Sequence, residues 1–298
     1  MAPLQENEIS IGPLNPFHRM AFAGFTFPAF QHLVVAPGSS RGRILVSADD
    51  RGKPAGLAVV EGISRTTARL RSIWVEPEYR RAGIGFRLLR RSEELARERG
   101  FHRIETVYRS TLKDQAIFEA LLAHARWEQP KLRMLVIETT YEKMAQARFM
   151  QHPPKLEAEY ALTPWEAVHA GELAVLRQSQ TFSPEVWPEN YPEPFHRQTS
   201  LAIRKHGELV GWIVNHPQPK APGLLRFTTS YLRDDLQGRG RMAAVIAASV
   251  HRTVGTGFER GIWTVPVEFP KMIVFARKRL IPFSSRVSET LGSGKDLI

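Results

Sequence analysis

The sequence has no cysteine among its 298 residues. Disulfide bonds, thiolate metal ligands and a cysteine nucleophile are therefore excluded. No apolar run approaches the roughly 18 residues that a membrane-spanning helix needs. The opening residues also lack the basic stretch and apolar core of a secretory signal. We therefore expect a cytoplasmic protein with no membrane partner.

The motifs of several enzyme classes are also missing. The histidines show no helical pairing with one another or with acids, so we expect no bound metal. There is no Gly-x-Ser-x-Gly nucleophile elbow and no Walker A motif. One Gly-x-Gly turn is present, at Gly83 and Gly85, but it lacks the third glycine of a dinucleotide-binding fingerprint. A metalloenzyme, an α/β-hydrolase, a P-loop NTPase and a Rossmann dehydrogenase are therefore unsupported.

Positive charge is in excess. The chain has 41 Lys+Arg against 30 Asp+Glu, a formal net charge of +11. This excess favours a polyanionic partner, which can be a phosphorylated cofactor, nucleic acid or an anionic surface, although a basic surface can also serve solubility alone. The arginine-rich stretch Arg87–Arg91 is followed by several glutamates at helical spacing, which favours a solvated helix face. We therefore do not expect nucleic acid to be the partner.

The chain contains an internal repeat. Gly100–Arg103 is echoed by Gly257–Arg260, and a strand-like run follows each of them. The glycine turn that begins at Arg80 recurs at Gln237, and the strand-like run Gly56–Val60 is matched by Gly211–Val214. Four features recur in the same order at an offset of about 155–158 positions, and a repeat of this length is typical of duplicated structural units.

Each half alternates strand-like and helix-like segments, which predicts an α/β fold with helices against a sheet. The duplication predicts an N-terminal domain over residues 1–150 and a C-terminal domain over residues 151–298, joined near Gln151–Lys155. The elements expected in the first domain are strands at Arg43–Ser47, Gly56–Gly62, Ala68–Val75, Ile104–Tyr108 and Lys131–Glu138, and helices at Gly85–Arg99 and Asp114–Ala123.

The most informative segment joins a strand to a helix through Arg80–Phe86. The first amides of a helix have no partners within the helix and lie at the positive end of its dipole, and glycines let a ligand approach the backbone. A pyrophosphate fits such a place. On spacing alone, an ordinary strand-to-helix turn explains the same glycines.

This segment resembles the Arg/Gln-x-x-Gly-x-Gly/Ala signature of the GNAT acyltransferases, and the resemblance extends over roughly residues 40–140. It implies two tandem GNAT-like domains of the α/β class, each a mixed, splayed β-sheet flanked by helices. It also implies that the turn holds the pyrophosphate of acetyl-CoA and that the preceding strand pairs with the pantetheine arm. The cofactor-binding residues that the resemblance implies are Ile73, Trp74, Val75, Arg80, Arg81, Ala82, Gly83, Ile84, Gly85, Phe86 and Arg87.

Two departures from the family pattern concern the cofactor and the general acid. In the second repeat Met242 stands where the signature has glycine or alanine, so we expect the first domain to be the main acetyl-CoA site. The family's Asn-x-x-Ala element is absent, and Phe118 stands where the family has a tyrosine that protonates the leaving thiolate. Tyr108, Tyr141 or water can take that role, or the activity is lost.

The resemblance implies transfer of acetyl from acetyl-CoA to a primary amine by direct attack in a ternary complex, by a monomer or a homodimer. The amine needs a base, for which we choose Glu105 first and Glu61 second; the alternative is that each pairs with an arginine. The segment Phe182–His196 is rich in proline and aromatic residues and is either a lid over an acceptor, or an ordered surface loop or inter-domain strap. A non-catalytic CoA-binding or protein-interaction scaffold is the alternative function.

Overall fold

The computed structural model describes residues 9–37, 42–179 and 183–298. They divide into two compact units, unit 1 with Met1–Arg133 and Thr290–Ile298, and unit 2 with Met134–Glu289. The strands are β1 (Ser10–Pro13), β2 (Arg43–Asp50), β3 (Lys53–Gly62), β4 (Thr67–Val75), β5 (Arg103–Arg109), β6 (Lys131–Thr140), β7 (Tyr160–Pro164), β8 (Leu201–Lys205), β9 (Glu208–Pro217), β10 (Leu224–Leu232), β11 (Arg260–Pro266) and β12 (Arg286–Asp296). The α-helices are α1 (Arg19–Phe22), α2 (Gln31–Val35), α3 (Ile84–Glu98), α4 (Gln115–His124), α5 (Tyr141–Met144), α6 (Arg148–Gln151), α7 (Ala170–Ser179), α8 (Arg241–His251) and α9 (Pro270–Phe275).

The sheet of unit 1 has the strand order β1-β2-β3-β4-β5-β12. All of its neighbouring strands are antiparallel except β4 and β5, which are parallel. The parallel register runs from the Thr67–Arg103 pair to the Leu70–Thr106 pair and stops there, although both strands continue. The splayed strands that the family resemblance implies are therefore present in unit 1.

The core of unit 1 covers both faces of this sheet. Helix α3 buries Leu88, Leu89 and Ala96 against one face, which is the apolar stripe expected from their helical spacing. The short helices α1 and α2 bury Phe22 and Val34 against the other face. A sheet covered on both faces by helices is the α/β arrangement that the sequence predicts.

Unit 2 repeats this plan with the strand order β6-β11-β10-β9-β8-β7. Its parallel pair is β10 and β11, whose register runs from Leu224–Arg260 to Phe227–Trp263. One cluster of buried side chains on this sheet includes three tryptophans, Trp165, Trp187 and Trp212.

The closing strands do not follow the predicted domain limits. The predicted last strand of the first domain is found as β6, but from Met134 onward it belongs to unit 2, where it pairs with β11. Unit 1 is closed instead by the end of the chain, because β12 pairs with β5 from Thr290 to Asp296. The limits at residues 150 and 151 describe the sequence repeat, whereas the compact units begin and end at other residues.

Candidate functional site

The turn between β4 and α3 has an open backbone. Arg81 and Gly83 have positive φ angles of 65° and 73°, so two residues adopt the left-handed conformation just before α3 begins at Ile84. Among the described residues, none accepts a hydrogen bond from the amides of residues 81 to 86, and the ladder starts where the Arg87 amide donates to the Gly83 carbonyl at 3.0 Å. These amides form the N-terminus of a 15-residue helix. The turn therefore presents a row of unsatisfied donors at the positive end of a helix dipole.

Glycine keeps this turn accessible. No described atom lies within 4 Å of the place that a Cβ on Gly83 would take. At Gly85 the nearest neighbours of such a Cβ are side-chain atoms of Leu121 and Val75 at 3.8 Å, which is ordinary contact. A phosphate group can therefore reach the amides at Gly83 without displacing any described part of the chain.

The arginines at the turn differ in their roles. Arg80 donates from Nε to the Val75 carbonyl at 2.9 Å, and its guanidinium lies 4.8 Å from the ring centroid of Trp74. Arg87 donates to the Ile9 carbonyl at 3.0 Å. Arg81 has no partner within the described ranges, so it is the predicted cation that is available to an anion. Arg80 braces the turn, whereas Arg87 connects α3 to the residue before β1.

The predicted pantetheine strand has one free edge. Residues 73–75 of β4 pair with β3 on one side, as in the Ala58–Ile73 register pair. On the other side the pairing with β5 ends at Leu70, and no described strand takes its place. An extended ligand can therefore add to β4 by backbone hydrogen bonds. The side chains of Ile73, Val75, Ile84 and Phe86 pack in the core, so only their backbone faces such a ligand.

The equivalent turn of unit 2 has neighbours from its own chain. Gly240 has the same left-handed conformation as Gly83, with φ of 77°. A Cβ on Gly240 would lie 3.0 and 3.1 Å from ring atoms of Pro154. Arg241 donates to both carboxylate oxygens of Glu157, at 2.9 and 2.6 Å, and Arg239 lies 3.9 Å from the same carboxylate.

The Glu157 carboxylate acts as an internal anion at this second turn. The hydrogen bonds from Arg241 lower the pKa of Glu157 to about 2, so the carboxylate is charged at neutral pH. The arginine that could bind a phosphate is thus already paired. The open turn of unit 1 therefore has room for a pyrophosphate, whereas at the turn of unit 2 Pro154 lies close by and Arg241 is already paired.

The two predicted base carboxylates lie on one face of the unit 1 sheet, with Arg69 between them. The register aligns Glu61 with Arg69 across β3 and β4, and Arg69 with Glu105 across β4 and β5. Arg69 donates to the Glu105 Oε1 atom at 2.7 Å, and Arg133 lies 3.8 Å from Oε2. Arg71 donates to the Glu61 Oε2 atom at 2.7 Å. Both carboxylates are therefore ion-paired, which is the alternative that the sequence left open.

Tyr108 lies apart from these carboxylates. It is three residues beyond Glu105, so strand alternation puts its side chain on the opposite face of the sheet. Its ring contacts Phe118 with 5.1 Å between centroids, and its hydroxyl donates to Glu119 Oε1 at 2.8 Å. Burial, followed by the bond to Glu119, raises the pKa of the Tyr108 hydroxyl. The three predicted catalytic side chains do not meet at one point.

Sequence reasoning missed Arg71, which occupies a β-bulge where β4 leaves β5. The register passes from the Val59–Ser72 pair to the Val60–Leu70 pair, so Arg71 has no cross-strand partner. Its guanidinium lies 5.6 Å from the ring centroid of Phe30. An Arg-x-Arg pattern at positions 69 and 71 is the only local signal, and it does not indicate a bulge.

The predicted lid packs onto the core of unit 2. Trp187 contacts Trp212 edge to face, with ring centroids 5.8 Å apart, and the indole of Trp212 donates to the Val186 carbonyl at 3.2 Å. Trp212 is fully buried. Phe182 lies outside the described residues. The described part is a strap held by buried aromatic contacts.

Comparison with known proteins identifies the fold. Residues 16–122 match the profile of the family described as acetyltransferase (GNAT) family. A tandem GNAT protein from the clavulanic acid biosynthesis pathway superposes with a TM-score of 0.65 at 13% identity, over 98% of this chain and 99% of that chain. A GCN5-related N-acetyltransferase from Sphaerobacter thermophilus gives a TM-score of 0.60 at 14% identity, over 99% of this chain and 97% of that chain.

These likenesses confirm the predicted fold class, two tandem domains with mixed sheets flanked by helices. A comparison with curated protein sequences gave no match. None of the helices in the described ranges is both long enough and apolar enough to cross a membrane.

Proposed function

We propose that this chain, a member of the GNAT acetyltransferase superfamily with two tandem domains, is an acyl-CoA-dependent N-acyltransferase. Its donor is acetyl-CoA and its acceptor a primary amine, which attacks directly in a ternary complex. The observation that carries the proposal is the open row of amides from residue 81 to residue 86. It lies beside a free edge of β4, where an extended pantetheine arm fits.

We assign the donor to unit 1 alone. The backbone amides at the turn hold the pyrophosphate, Arg81 adds positive charge, and residues 73–75 align the pantetheine. Acetyl-CoA supplies the thioester whose acetyl group is transferred. In unit 2, Pro154 and the Glu157 carboxylate occupy the surroundings of the equivalent turn, which supports one donor site per chain.

For the base we propose Glu61 first and Glu105 second, the reverse of the order expected from the sequence. Both bonds from Arg71 go to Oε2 of Glu61, and among the described residues its Oε1 has no partner. Glu105 is held by Arg69 at Oε1 and has Arg133 3.8 Å from Oε2, and its side chain is only 15% exposed against 35% for Glu61. A carboxylate with a free oxygen can accept the amine proton, directly or through one water.

Water is the proposed proton source for the leaving thiolate. Tyr108 already donates its proton to Glu119, and its raised pKa makes it a weaker acid than an ordinary tyrosine. Phe118, beside it, has no proton to give. Phenylalanine at position 118 on α4, where the family has tyrosine, thus changes the source of the proton for the thiolate. It does not change the attack of the amine on the thioester.

Release of free CoA tests the proposal. Incubating the full chain with acetyl-CoA and a panel of primary amines is expected to give amine-dependent thiol release and an acetylated product of the corresponding mass. Glu61→Gln is expected to lower kcat by about 10²–10⁴-fold, the usual contribution of a general base, and to leave the KM for acetyl-CoA unchanged. Glu105→Gln is the matched control in the same row.

Two results would change the account. Loss of activity in Glu105→Gln together with an active Glu61→Gln would return the role of base to Glu105. Acetyl-CoA binding without thiol release for any amine would support the alternative function, a non-catalytic CoA-binding scaffold. The observation that favours this alternative is the Phe118–Tyr108 pair, which provides no available acid.

A further inference from the structure

The place where β4 and β5 part is bordered by two arginines with unused donors. Arg71 lies at the bulge on the β4 side. On the far side, the stem of Arg133 crosses β12 at Gly292, where a Cβ would collide with the Arg133 side chain. Gly292 is paired with Val107, the first residue of β5 beyond its pairing with β4. The backbone of Arg71 and the side-chain stem of Arg133 thus lie on the two sides of the place where β4 and β5 part.

Both arginines have guanidinium donors without a partner among the described residues. In Arg71, Nε and one terminal nitrogen both contact the Oε2 atom of Glu61. The other terminal nitrogen has no partner among the described residues. Arg133 is 46% exposed, and within the described ranges its one ionic contact is the 3.8 Å approach to Glu105, which is too long for a hydrogen bond. A guanidinium presents five donors in a fork that matches a carboxylate.

Two arginines on this face of the sheet are incompletely paired. Among the described residues, Arg71 pairs only with Oε2 of Glu61, and Arg133 only approaches Glu105 at 3.8 Å. An anionic group at the opening would complete the pairing of the two outer arginines. The free Oε1 of Glu61 lies on the same face, so an amine can approach a carboxylate while its anionic end meets a guanidinium.

We propose that the acceptor is an amine that carries a carboxylate, an amino-acid-like zwitterion whose carboxylate is held by Arg133 and Arg71. This inference rests on the proposed acyl transfer and adds the class of acceptor. Arg133 is the specificity-determining residue, because its side chain makes no hydrogen bond to any residue that the structure describes. Arg71 assists, and it also orients Glu61.

Matched acceptors that differ only in charge test the proposal. Glycine against glycinamide and 4-aminobutyrate against 4-aminobutyramide are assayed with acetyl-CoA and the full chain. The acids are expected to have the lower KM. Arg133→Gln is expected to raise the KM for the acids by about 10- to 100-fold, the effect of losing a charge-assisted hydrogen bond. The KM for the amides and for acetyl-CoA stays unchanged, and Arg133→Lys restores part of the loss.

Arg103→Gln is the matched control. The side chain of Arg103 lies over β12 at Gly294, two residues from Gly292. Unlike Arg133, it is paired with Asp296 at 2.8 Å and with Glu128 at 2.7 Å. It is expected to leave every KM as in the wild type. Equal KM values for acid and amide in the wild type, or an unchanged KM in Arg133→Gln, would overturn the proposal.

A binding measurement separates this inference from the proposed transfer. Equilibrium binding of 4-aminobutyrate is measured by ligand-observed NMR with wild type and with Arg133→Gln. Carboxylate binding that depends on Arg133, without turnover of any amine, would keep the anion site and reject the transfer. Turnover of amines without any preference for acids would keep the transfer and reject the anion site.

Discussion

Replacing Gly83 with valine is expected to abolish acetyl-CoA binding. A branched side chain would fill the space beside the turn that no described atom occupies. The loss of about two charge-assisted hydrogen bonds at about 1.5–3 kcal/mol each corresponds to at least about 100-fold in affinity. Calorimetric titration of the folded variant with acetyl-CoA measures this loss.

Two glycine variants control for the strain of valine at a positive φ. Gly52 has φ of 91° in the β2–β3 hairpin of the same unit and is likewise open around its Cβ position. Gly240 is the equivalent of Gly83 in unit 2. Gly52→Val and Gly240→Val are both expected to bind acetyl-CoA as the wild type does. Unchanged affinity in a folded Gly83→Val would remove the turn from the cofactor site.

Replacing Lys295 with methionine is expected to destabilise unit 1. Glu93 on α3 is 1% exposed and receives hydrogen bonds from Lys295 Nζ at 2.7 Å and from the Trp127 indole at 2.8 Å. The methionine would leave a buried carboxylate without its main cation, which typically costs about 3–5 kcal/mol. Since Arg90 still reaches Glu93 at 2.9 Å, we expect about 3 kcal/mol of lost unfolding free energy, at the low end of that range.

Hydrogen exchange in peptides that cover β12 reports this loss, because Lys295 belongs to that strand. Lys53→Met is the matched control. Lys53 and Glu78 are also in contact, at 2.6 Å, but their side chains are 63% and 57% exposed. Solvent screens such a pair, so its loss is expected to leave protection of β12 unchanged. Equal effects of the two variants would show that burial of Glu93 contributes nothing to unit 1.

The sequence was sufficient for features that depend on neighbouring residues. The helix after the turn was predicted at Gly85–Arg99 and is found at Ile84–Glu98, and the strand predicted at Ile104–Tyr108 is found at Arg103–Arg109. The turn at Gly83 was predictable as well, because a left-handed residue before a helix favours glycine. Each of these depends on a local period or a local backbone conformation.

Features that depend on distant pairing were not predictable. Arg69 and Glu105 are 36 positions apart, and only the register of β4 on β5 brings them together. The closing of unit 1 by β12 depends on which of two similar strands pairs with β5, and hydrophobic alternation does not encode that choice. The pairing at the second turn has the same origin, since Glu157 meets Arg241 across 84 positions.

The central claim is that the chain binds acetyl-CoA at the turn of unit 1 and at no second place. Calorimetric titration of the wild-type chain with acetyl-CoA, with the stoichiometry as the readout, tests it most directly. One site per chain is expected, because at the equivalent turn of unit 2 Pro154 lies beside Gly240 and Glu157 already pairs with Arg241. Two sites per chain, or none at saturating ligand, would contradict it.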